Sequence, residues 1–233
     1  MSWLLVLILL VVLVLVVGFL LRMLKGAVKI VATIFVIAVL VGGALWIFND
    51  MNDLRKHFYQ DDKMFLLEID EKIAGGFRLG ATGVPVPLTG VRGIDGEPDE
   101  WGFEDEYYKI IIITWPVVAK DIQLAGFSAN ANELKQALLS EHPKHLFIDK
   151  GTAALGLKAR DQLKLQADTL YPNEDLFAGT VFALLAEKPL SNPDLMFKGM
   201  KEGTVRIYPE TITFKILKIL PDSFNKLLAP APE

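Results

Sequence analysis

Cysteine is absent from the 233 residues. That excludes disulfide frameworks, thiolate zinc sites, iron–sulfur clusters and cysteine nucleophiles. No Asn-x-Ser/Thr acceptor occurs, so glycosylation gives no clue to compartment. No Gly-Lys-Ser/Thr phosphate loop, no Gly-x-Ser-x-Gly elbow and no His-Glu-x-x-His pair is present. Nor is there a repeat at a solenoid period. Acidic side chains are missing from residues 1–48, which hold only Arg22, Lys25 and Lys29 as charges. The remaining residues carry 21 Lys and Arg against 28 Asp and Glu. A domain of that sign is unsuited to tracking a phosphate backbone, so nucleic acid is not an expected partner.

What the opening does contain is apolar. Trp3 to Leu21 is nineteen residues without a charge, and Ile30 to Phe48 is another nineteen. Each run is about 28 Å long as a helix, close to the hydrocarbon thickness of a bilayer. One unbroken helix would bury the three cations between them, so the reading is a transmembrane α-helical hairpin at 1–48. Its bend would lie at residues 22–29, with Arg22, Lys25 and Lys29 as the membrane loop. The positive-inside rule puts that bend in the cytoplasm and the remainder of a two-span cell-membrane protein outside it. Ala38 and Gly42 form a small-xxx-small step through which helices could pack, giving protein partners or a homo-oligomer through the hairpin beside the lipid bilayer itself. The two runs and their basic bend resemble the opening of colicin V production proteins. That resemblance implies a membrane hairpin and nothing about activity.

The rest reads as a mixed α/β (α+β) globular domain in water at 63–228, joined by a juxtamembrane linker at 49–62 and ending in a disordered tail at 229–233. Phe65–Ile69 and Lys72–Phe77 read as strands joined at Asp70-Glu71. The β-branched run Ile110–Trp115 reads as a central strand covered on both faces. Leu146–Ile148 and Thr204–Tyr208 are further strand candidates. Helices are expected after the capping box Asn130…Glu133, over 153–167, after Asn173, and from Asn192-Pro193 to Gly203. Ile212, Ile216 and Ile219, with Lys215 and Lys218 opposite, suggest an amphipathic tail helix that caps the core or lies on headgroups.

Residues 80–106 hold six glycines and three prolines. So long a loop is a working surface or a mobile one, and the alternate prolines of Val84-Pro85-Val86-Pro87 suit an edge strand. Its acidic loop residues Asp95, Glu97, Asp99 and Glu100 lack the EF-hand spacing, which leaves a solvated loop or a docking surface for a basic partner. His142 and His145 flank Pro143 and do not read as metal ligands. The expected metal and cofactor are none. Ser128, Asp149 and Lys150 are the catalytic candidates, although Ser128 reads first as part of the helix cap near Asn130. The functional expectation is a membrane-anchored structural or protein-interaction module. The alternative is a membrane-tethered hydrolase with its site around 80–106 and 149.

Overall fold

A computed structural model describes residues 12, 14–16, 18, 27–96, 98–103, 106–124, 127–151 and 157–219. The chain divides into two compact units, one of residues 1–55 with 220–233 and one of Lys56–Ile219. The long helix α1 covers Ala27–Gln60. Then follow β1 (Lys63–Ile69), β2 (Lys72–Leu79), β3 (Pro85–Pro87), β4 (Lys109–Thr114), the single turn α2 (Trp115–Val118), β5 (Ile122–Leu124) and β6 (Phe127–Ala129). Helices α3 (Ala131–Leu139), α4 (Pro143–Gly151), α5 (Leu157–Leu170), α6 (Glu174–Ser191) and α7 (Pro193–Glu202) lead to β7 (Val205–Tyr208) and α8 (Ile212–Ile219).

The structure corrects the membrane reading. Among the described residues, no helix is long and apolar enough to cross a membrane. The second apolar run is not a bounded rod ending at Phe48. It belongs to α1, whose helical backbone continues through Asp50, Asp53, Arg55 and Lys56 to Gln60. The supposed linker from 49 is therefore helical as far as Gln60. Lys29, assigned to the bend, is already inside α1, while Arg22 and Lys25 lie outside the described residues. The first run lies mostly outside them too, with residues 12, 14–16 and 18 helical. Without a span among the described residues, the transmembrane hairpin, the membrane anchor, the tethered hydrolase and the extracytoplasmic address lose their basis.

The second unit is a mixed α/β domain built on a five-stranded sheet of order β3-β2-β1-β4-β7. Strands β1 and β4 are parallel and the other pairs antiparallel. The β1–β2 hairpin turns at Asp70 and Glu71, with φ of 50° and 66°. Positive φ at both central residues matches the right-handed twist of the flanking strands. Strand alternation sends Phe65, Leu67, Ile111 and Ile113 to one face. There Phe65 stacks on Phe77 and Phe77 meets Phe182 of α6, ring centroids 5.0 Å apart in each case. Helix α6 seats on β2 and β3 through small residues. A Cβ at Gly75 would stand 3.1 Å from Ala178, and one at Gly179 would collide with the Gly76 carbonyl and Pro87.

The opposite face carries Met64, Leu66, Ile73, Ile110 and Ile112. No helix covers it among the described residues. The segment from Leu88 to Tyr107 does so, packing Leu88, Val91, Ile94, Trp101, Phe103 and Tyr107 over the sheet. The Gly/Pro-rich stretch is thus a roof, pinned to β2 by Ile73 N–H on the Ile94 carbonyl (3.3 Å) and Gly93 N–H on the Ile73 carbonyl (2.8 Å). Trp101 Nε1 donates to the Asp95 carbonyl at 3.0 Å. At the β3 edge, Leu88 N–H bonds the Gly76 carbonyl at 2.9 Å. Backbone nitrogens alternate sides along a strand, so those of Pro85 and Pro87 face outward, where proline has no hydrogen to offer.

The expected strand Leu146–Ile148 is instead part of α4. Pro143 opens that helix at its first residue, where a missing N–H costs nothing, and Phe147 and Ile148 are buried by it. The small β5–β6 hairpin was not anticipated from sequence.

Candidate functional site

The largest unexplained feature is α1. At 100° per residue its side chains divide into two arcs. Residues 32, 33, 36, 40, 43 and 50 are half-buried and fall on one side. Val31, Ile34, Phe35, Ala38, Val41, Gly42 and Leu45 lie within about 60° of Ala38 on the other, and all are exposed. Val31 and Phe35 are each 68% exposed, Ile34 63% and Leu45 60%. Ideal Cβ atoms at Gly42 and Gly43 meet nothing within 4 Å. Single exposed apolar residues need no explanation, but a contiguous face of this size marks an interaction surface.

Among the described residues of the Lys56–Ile219 unit, three polar networks join strands or helices, beside the Arg92–Asp175 pair at 3.7 Å. At the amino edge of the parallel pair, Lys63 and Lys109 occupy facing register positions and are both buried. Lys63 Nζ donates to the Asp61 carbonyl at 2.7 Å. Burial pulls its ammonium below the usual lysine range, a shift that Asp61 and Asp62 oppose. Lys109 Nζ donates to the Pro209 carbonyl at 2.9 Å and lies 5.0 Å from the Tyr108 ring centroid. His57 Nδ1 sits 2.6 Å from Asp61 Oδ2. Nearby, burial raises the Tyr107 phenol, helped by Glu106.

At the carboxyl edge, Arg206 reaches from β7 across β4 to Glu68 on β1, Nη2 to Oε1 2.8 Å. The third network joins α4, α5 and α6. Buried Lys144 pairs with Asp168 at 2.7 Å and donates to the Tyr171 carbonyl at 3.0 Å, while its backbone N–H donates to Glu174 at 2.6 Å. The hydrogen bond from Lys144 holds the Asp168 carboxyl below its ordinary value, and burial raises Tyr171. Each network ties neighbouring elements together. Among the described residues, no group of three metal-ligating side chains converges.

The catalytic candidates have separate surroundings. Ser128 stands on β6 opposite Gln123, and the start of α3 is capped by Asn130 and Glu133, with Asp121 accepting from Ala131 N–H at 2.9 Å. Asp149 on α4 pairs with Lys164 of α5 at 3.2 Å. Lys150 Nζ donates to Gln136 of α3 at 2.6 Å. In the acidic loop, Asp95 contributes its carbonyl to Trp101, and Glu100 closes a short 3-10 turn begun at Pro98. Glu97 and the Asp99 side chain lie outside the described residues. Ala38 and Gly42 are both on the exposed arc. Sequence reasoning missed the Glu68–Arg206 link, since charges 138 positions apart give no local signal. The sidedness of α1 was also missed, because every position of its run is apolar or small.

No protein family, curated protein or solved structure matches the chain.

Proposed function

We propose that this chain is a protein-interaction module in which the exposed arc of α1 docks another polypeptide. The observation that supports it is the row Val31, Ile34, Phe35 and Leu45, each at least 60% exposed on one side of a single helix. Covering such side chains gains roughly 1.5–3 kcal/mol apiece, enough for association once rotational and ordering costs are met. The α/β unit is then the folded body that accompanies the docking helix. No described cluster in it has the convergent nucleophile and base that a hydrolase requires.

The absence of cysteine provides a clean test. Single cysteines replacing Phe35, Leu45 and, as a control, the 70%-exposed Leu165 are labelled with a thiol reagent in a detergent-free lysate of the expressing cells. Docking predicts labelling at least tenfold slower at 35 and 45 than at 165, with the difference abolished by urea. Equal native rates overturn the reading, as does a full chain that disperses only in detergent or lipid.

A further inference from the structure

We infer that the polypeptide covering the exposed arc of α1 is a second copy of this chain, packed α1 against α1 across the Ala38–Gly42 step. This rests on the association reading above and names its partner.

The first ground is area. Val31, Ile34, Phe35, Val41 and Leu45, flanked by Ile37, Val39 and Trp46, are each 52–68% exposed. The first five, on the arc itself, offer roughly 550 Å² per chain, about 1,100 Å² for two copies, above the ~1,000 Å² that a specific interface should clear.

The second ground is shape. A two-fold interface uses the same patch on both copies, so that patch must complement itself. On this arc the small residues Ala38 and Gly42 lie between two bulky groups, Val31, Ile34 and Phe35 toward the amino end and Leu45, with the flanking Trp46, toward the carboxyl end. Two such helices crossing at the small step bring their backbones close, while each bulky group packs beside the partner's axis. Glycine is a poor residue for the middle of a helix, costing roughly 0.5–1 kcal/mol against alanine. Among the described residues nothing requires it at 42, where a Cβ would meet no atom within 4 Å. Close approach by another helix supplies a reason for it.

That open space also makes Gly42→Ile an informative variant, since its Cβ would meet no described atom of its own chain within 4 Å. Light scattering on the purified full-length chain should give about twice the monomer mass of 25.9 kDa. Gly42→Ile should weaken the dimer at least tenfold with the circular dichroism of the α/β domain unchanged. Phe35→Cys and Leu45→Cys should stay protected from thiol reagents after purification. Protection in lysate that vanishes on purification, with a single-chain mass, overturns the second copy and leaves docking to a different polypeptide. Equal labelling in both samples overturns both readings. A dimer indifferent to Gly42→Ile overturns the crossing point.

Discussion

At the scale of single residues, stability turns on close approach and on paired charges. Gly179 has a helical backbone, and its requirement for hydrogen is purely spatial. Gly179→Ala should cost about 1–3 kcal/mol by pushing α6 off β2. Gly75→Ala, whose Cβ would stand 3.1 Å from Ala178, should cost less, and urea unfolding of the two variants ranks them. Asp168 gives a pH prediction. Its pKa in the folded protein lies below the ordinary 3.8 because Lys144 bonds the carboxylate. The stabilisation is therefore complete above that value and is lost as pH falls through the lower, folded one. Wild type should exceed Asp168→Asn in unfolding midpoint at pH 6, and the gap should close in strong acid. A gap independent of pH would remove the charge pair from the account.

At the scale of elements, caps and edges decide where structure stops. Asn130 accepts from Glu133 N–H and Glu133 from Asn130 N–H, both at 3.0 Å. Asn130→Ala should thus cost about 1 kcal/mol, read as a lower thermal midpoint. Pro85 and Pro87 leave the outer edge of β3 without donors. Replacing both with threonine installs two outward N–H groups, and light scattering should show faster self-association at unchanged fold. Boundaries set by local chemistry could be read before any coordinates: the Asp70-Glu71 turn, the Asn130 box, the Asn173 cap accepting from Leu176 N–H at 2.8 Å, and the Gly203 stop at φ 74°. Those set by tertiary packing could not. Leu146-Phe147-Ile148 satisfies strand and helix patterns alike, and only burial against α6, with Phe147 and Phe177 centroids 5.4 Å apart, settles it as helix. The 80–106 composition announces irregular backbone but conceals that Val91, Trp101 and Phe103 share one side.

At the scale of the whole molecule, the roof over Met64 and Ile112 takes the place of a second helical layer. Trp101→Ala should open it, raising proteolytic cleavage within residues 88–107 severalfold while β1–β2 amides stay protected from exchange. Unchanged cleavage would mean that the tryptophan merely rests on the surface. The α1 surface was visible as an apolar run, but run length alone could not say which of its side chains neighbouring atoms already cover and which stay exposed. Strand order also bears on synthesis. The β1–β2 hairpin can close soon after leaving the ribosome, whereas α6 and β7 follow about a hundred residues later. A nascent chain halted before Glu174 would hold a half-built sheet with the Phe65 and Phe77 rings bare to solvent, the kind of client that chaperones at the exit tunnel are there to shield.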